Sequence, residues 1–195
     1  MKKLKNIPVI AKWTHWRVAE ELKHHKPSTV IDMGGVGRLG KLTSFKVTDA
    51  NIKQGIDATN MPFEDKSFDA SVSINTLEHV KLKKNFLLEA IRVARIVSIH
   101  EFPFGPHARQ VEELKEKLGH KHPCKLPNYR DHILPFMTNS SLDCKFKPAM
   151  SCQICLLLLA SMNEKMNVNE TFELARSCGS APYSYILVIK SKGEK

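Results

Sequence analysis

No apolar run in this chain is long enough to cross a bilayer as a helix. The longest, Ile154 to Ala160, falls far below the ~18–20 residues a helical span needs and reads as a buried helix or strand. The opening stretch, Met1 to Trp13, has too short an apolar segment for a signal peptide, so a cytoplasmic location is the expectation. Cysteine is sparse and odd in number, five residues between Cys124 and Cys178. Without a secretory signal, that excludes a disulfide framework. Cys152 and Cys155 form one C-x-x-C, and no second pair at zinc spacing answers it. His120, His122 and Cys124 could complete a site, but buried structural cysteines beside a histidine-bearing loop are expected instead, with no metal. Aromatic residues make up only 7% of the chain, which offers few platforms for stacking bases, and no RNA-binding module is visible. Repeats and low-complexity segments are absent too.

What is present is ordinary globular material. The 195 residues, 42% hydrophobic and 26% charged, suit one domain with a sizeable core. Thirty Lys and Arg against 20 Asp and Glu leave a formal charge of +10. That excess favours anionic partners in general. It is spread along the chain rather than patterned, so a solubilising surface explains it equally well.

The periodicities alternate between strand and helix. Residues 8–26 read as an amphipathic helix, with Ile10, Trp13, Val18 and Leu22 near helical spacing and Pro27 as its stop. A short buried strand, STVIDM, runs into glycines. FKVTDANI is a second strand, Gly55 to Asp65 carries a short third, Phe68 to Ile74 a fourth and IVSIHEF a fifth. Between the last two, Phe86, Leu87, Ala90, Ile91 and Ala94 stripe a helix. This alternation predicts an α/β fold, Rossmann-like, with a mostly parallel sheet of about seven strands flanked by helices. Its first half is compact, and a helical insertion follows the fifth strand. The organisation is a single domain over 1–195. A cap helix spans 1–27, a cofactor-binding core 28–102 and a substrate-shaping insertion 103–150. A C-terminal helix and strand, 151–195, complete the sheet, with YSYILVIKSK as the last strand.

Gly34, Gly35, Gly37 and Gly40 crowd the end of VIDMGGVGRLG. An open parallel sheet binds ligands outside the carboxyl ends of its strands, where strand order reverses, and glycines there let a ligand approach bare backbone. Gly35, Gly37 and Gly40 formally spell the dinucleotide fingerprint, but that motif needs a full helix behind it. Only KLTS separates Gly40 from the next strand, and no second domain is present to hold a substrate. A dehydrogenase is therefore disfavoured. Asp49 or Asn51, at the second strand's end, can grip ribose hydroxyls. Asp57 can accept from an adenine amino group, with the neighbouring Ala58 and Thr59 backbone facing the ring. The layout suits a nucleoside with a short anionic tail.

These residues resemble those of the class I S-adenosylmethionine-dependent methyltransferases. The resemblance rests on VIDMGGVGRLG, on GIDATNMPFEDKSFDASVSINTLEHV and on their separation, and it covers roughly residues 28–102. It implies S-adenosyl-L-methionine as cofactor. Asp32 then matches the acid that organises the glycine loop and the cofactor's amino group, and Gly34, Gly35 and Gly37 match the loop itself. Asp57 matches the adenine-facing acid, and Asn75 and Thr76 match the ligand-facing end of the fourth strand. Two departures stand out. Val36 occupies the place of the family's second glycine, and the ribose carboxylate falls either to Asp49 or, as an amide, to Asn51. Trp13, His15 or Trp16 would lid the pocket. His79 and His100 are the candidate bases, although structural histidines are commoner. The implied activity is methyl transfer to a small polar acceptor, a sugar or other metabolite hydroxyl or amine, shaped by His107 to Met150. A nucleic-acid methyltransferase, favoured only by charge, and a catalytically inactive cofactor-binding protein are the rival readings. The sequence does not specify an oligomeric state.

Overall fold

A computed structural model describes residues 9–117, 125–151, 176 and 180–192. Helix α1 runs Val9–Lys23. It buries Val18, Ala19 and Leu22 on one face and ends with Lys23 in its last turn, where a cation suits the helix dipole. Strand β1, Thr29–Met33, is buried beyond its first residue. β2 is Lys46–Ala50, β3 Phe68–Ile74 and β4 Ala94–Pro103. Helix α2, Lys83–Val93, feeds directly into β4. Helix α3 spans Pro106–Lys117, with proline at its start, where a missing N–H costs nothing. The one-turn helix α4, Leu134–Met137, precedes β5, Leu142–Ser151, and β6, Pro182–Ser191, closes the described chain.

The sheet order is β2-β1-β3-β4-β6-β5. β1 to β4 are parallel; β6 returns antiparallel to β4, and β5 is antiparallel to β6. The chain moves outward from β1 to β2 and then crosses to β3 on β1's other side. The order therefore reverses between β1 and β3, the point at which such sheets open a crevice. Each face has its own core. One joins Val18, Leu22, Val30, Val72, Ile99 and Val188; the other joins Ile31, Met33, Phe86, Leu87, Phe102 and Leu187. Alternation along β1, Val30 to one side and Ile31 to the other, sets this division.

Two expectations change. Among the described residues there are six strands, and Gly55 to Asp65 forms turns rather than a third strand. Side chains of α2 satisfy its backbone instead. Glu89 accepts from the Met61 N–H at 2.8 Å, and the Arg92 guanidinium donates to the carbonyls of Phe63 at 2.7 Å and Met61 at 3.1 Å. The stretch read as the end of the insertion contains β5, ten residues on the far edge of the sheet. Cys152, Cys155, Cys124, His120, His122 and the apolar run from Ile154 lie outside the described residues. Among those described, no helix is long and apolar enough to cross a membrane.

Candidate active site

A cleft of about 680 Å³ opens at the carboxyl ends of β1, β2 and β3. Gly34 and Val36 line it from the first turn, Ala50, Asn51 and Ile52 from the second, and Asn75 and Thr76 from the third. The turn Ile56–Thr59 forms another wall, with Asp57 and Ala58 in it, and His79, Val80, Lys81 and Leu82 complete the rim.

The glycine turn is glycine for two measurable reasons. Gly34 has φ +88, and a Cβ there would lie 2.5 Å from Thr76 Cγ2. A Cβ on Gly35 would lie 2.4 Å from Asp49 Oδ1 and 2.6 Å from Asp32 Cγ. The loop is thus pressed onto the end of β3 on one side and onto two carboxylates on the other. Its backbone is pinned by the Gly34 N–H donating to Ala50 at 2.7 Å and the Gly35 N–H to Asp32 at 3.0 Å. After Gly37 only the short 3-10 turn Leu39–Lys41 forms, as the spacing predicts.

Asp32 and Asp49 are direct cross-strand partners. Asp32 is 2% exposed. Burial, and then the charge of Asp49, push its carboxyl up to about 7, against a smaller opposing pull from Arg38. Burial also raises Asp49, although the Gly37 backbone N–H bonds it. Asp32 Oδ2 and Asp49 Oδ1 are buried with no hydrogen-bond partner among the described residues. Two orphaned carboxylate oxygens beside Gly35 call for donor groups that the described residues do not supply.

The other predicted residues divide. Asn51 lines the cleft, but its side chain holds the walls together. Its amide donates to Gly35 O at 2.7 Å and to Gln54 at 3.0 Å, and its Oδ1 accepts from the Lys53 N–H. Asp32, Gly35, Gly37 and Asp49 are not among the lining residues. Asp57 is exposed, and its Oδ1 accepts from the Thr59 N–H and hydroxyl, both at 2.8 Å, which lowers its pKa. Asn75 adopts φ 50, a left-handed backbone that asparagine tolerates. Its N–H donates to Glu101 O at 3.0 Å and its amide to Thr14 at 3.4 Å. Through Thr14, α1 reaches the site. Trp13, His15 and Trp16 do not line the cleft; the two indoles are part-exposed, 5.5 Å apart, and His15 is buried.

His79 lines the cleft, 3.9 Å from the buried Glu78 carboxylate. His100 does not. It is fully buried, its Nδ1 2.8 Å from Ser73 Oγ and its Nε2 2.6 Å from Ser98 Oγ, under the ring of Phe86. Burial lowers its pKa to about 3, so it is a neutral core residue and no base for a ligand in the cleft. The sequence reading missed the apolar rim of Val36, Ile52 and Leu82, each more than half exposed. The signal available was bulky apolar residues in turns, Val36 and Ile52 soon after strand ends and Leu82 just ahead of α2, where polar residues are usual.

Residues 40–97 match the family model of a methyltransferase domain. The match supports a class I S-adenosylmethionine-dependent methyltransferase. No curated protein matches this chain. Solved structures share its fold. A chain of the Haloferax volcanii complex containing the Trm112 methyltransferase activator is 13% identical, with a TM-score of 0.59, covering 93% of this chain and 91% of that one. Geranyl diphosphate C-methyltransferase from Streptomyces coelicolor, crystallised with S-adenosyl-L-homocysteine, is 15% identical, with a TM-score of 0.59 over 90% of this chain and 80% of that one. Phosphoethanolamine N-methyltransferase 2 from Haemonchus contortus is 14% identical, with a TM-score of 0.59 over 93% and 53%. At such identities the likeness establishes the architecture alone.

Proposed function

We propose that this enzyme methylates a hydroxyl or amine on a small polar acceptor, with S-adenosylmethionine held in the glycine-lined cleft. The observation that carries the reading is the pair of unpartnered carboxylate oxygens, on Asp32 and Asp49, beneath a turn that has no room for a Cβ. Their chemistry fits a ligand that brings an ammonium and hydroxyls. When bound, the cofactor supplies a methyl group already activated on a sulfonium. Everything else falls to the chain. Asp32, Gly34 and Gly35 take the amino-acid end, and Asp49 serves the ribose hydroxyls while Asn51 fixes the turn beside it. Asp57, Ala58 and Thr59 face the adenine between Ile52 and Leu82. Asn75 and Thr76 close the floor, and the apolar rim keeps water out, so that positioning supplies much of the rate. His79, 3.9 Å from the Glu78 carboxylate, stands where it can accept a proton from the acceptor.

Two of the structures of similar fold are enzymes of small phosphorylated molecules by name, geranyl diphosphate and phosphoethanolamine, which supports a metabolite over a polymer. The test is calorimetric titration with S-adenosylhomocysteine, followed by transfer of labelled methyl into a cell extract. Since one similar structure comes from a complex with an activator protein, the label assay is run with extract protein both present and removed. Label in the low-mass fraction supports the reading. Label in tRNA or DNA replaces the acceptor with nucleic acid, and no S-adenosylhomocysteine binding at high micromolar concentration ends the reading altogether.

A further inference from the structure

A second cleft, of about 570 Å³, lies at the same end of the sheet and has no part in the cofactor site. Phe104, just beyond β4, floors it; Arg109 and Glu113 on α3 form one wall, and Leu126, Pro127 and Tyr129 form the other. The floor is a rigid aromatic cluster. Phe104 meets Phe146 edge-on at 5.2 Å and Tyr185 at 5.5 Å, and Phe146 stacks on Tyr185 at 4.6 Å. Tyr129 leans on Phe146 at 6.4 Å yet keeps 44% of its surface exposed.

The cleft's polarity is uneven. The Arg109 guanidinium engages no hydrogen-bond or ion-pair partner among the described residues. One helical turn further on, Glu113 sets a negative charge on the same wall. A ligand with one acidic group is therefore oriented: its anion is drawn to Arg109 and kept from Glu113, while its body lies on the aromatic floor. The two clefts share a partition. The Lys125 N–H donates to Glu78 O at 3.0 Å, and Glu78 belongs to the 3-10 turn Leu77–His79, whose histidine lines the cofactor cleft. The residues directly after Lys125 wall the second cleft.

We propose that this second cleft anchors the acceptor, and that it takes small molecules whose one carboxylate or phosphate meets Arg109 while the rest lies on the aromatic floor. The acceptor's role rests on the methyl-transfer reading; the binding of such molecules does not. Phenyl phosphate, phenylacetate and benzyl alcohol are titrated into the full chain by ligand-observed NMR, and S-adenosylhomocysteine is titrated separately by calorimetry. At least one anion should bind at least about tenfold tighter than the alcohol, as a charge-assisted contact implies. The phosphate and carboxylate arms show which anion the site prefers. Arg109→Ala should abolish the preference and Arg109→Lys restore part of it, with S-adenosylhomocysteine affinity unchanged in both, which also reports that they fold. Equal binding of alcohol and anions, or a preference that survives Arg109→Ala, overturns the proposal. Anion binding without S-adenosylhomocysteine binding upholds the cleft's ligand class and removes the methyl-transfer reading. The converse result removes the cleft and leaves that reading standing.

Discussion

Asp32 and His100 make the stability of this protein respond to pH in opposite senses. The folded-state pKa of Asp32, about 7, lies above its ordinary 3.8. The folded state therefore holds an extra proton between those values, and the stabilisation is complete below pH 4 and lost as pH rises toward 7. Asp32→Asn removes that loss. The variant's stability relative to the parent should climb with pH from 4 to 7, by no more than about 1.4 kcal/mol per pH unit, read from urea midpoints. His100 runs the other way. Its folded pKa, about 3, lies below the usual 6.5, so the neutral ring's stabilisation is full above pH 6.5 and lost as pH falls toward 3. His100→Gln should flatten that acid limb in the same urea series. Gly35→Ala tests the loop. A Cβ 2.4 Å from Asp49 Oδ1 forces a shift, and S-adenosylhomocysteine binding should weaken by about 1–3 kcal/mol in calorimetry. The sequence made the glycines and acids of this cleft legible because their spacing is the chemistry. It misplaced His100 for a physical reason. Ser71, Ser73, Ser98 and His100 alternate with apolar residues as a half-exposed strand would, yet they hydrogen-bond one another inside the core.

At the scale of elements, α1 is a wall of the core before it is anything else. Its Val18 and Leu22 are fully buried, and Glu21 forms an ion pair with Lys147 on β5 at 2.5 Å. Two indoles just ahead of the first strand suggest a lid made by Trp13 and Trp16, but neither is among the residues that line the cleft. Replacing both with Ala should leave S-adenosylhomocysteine affinity within about twofold, whereas deleting α1 should unfold the domain, seen as loss of a cooperative thermal transition. The parallel strands were readable because buried strands give short, nearly continuous apolar runs. β5 was not, because its lysines and Pro148 resemble a loop. An edge strand accommodates both, with proline at a register shift and lysine toward solvent. The missing third strand failed for the opposite reason: Glu89 and Arg92, distant in sequence, take the bonds a neighbouring strand would have made.

Across the whole molecule, the formal charge of +10 sets a long-range field. Any association with tRNA should fall steeply between 50 and 200 mM salt, with a slope set by the phosphates neutralised, and filter binding measures it. The sheet has a further consequence for how copies of the chain coexist. Its order ends on β2, whose outer backbone edge pairs with no other described strand. Such an edge is a template for an incoming strand. This one is only five residues long and begins with an exposed lysine, so a visiting chain gains few ladder bonds and meets a charge. The brevity of this strand, which also carries Asp49, thus works against edge-to-edge pairing. Lys46→Val, which spares the cleft, should turn that edge adhesive, seen as concentration-dependent growth of sedimenting species.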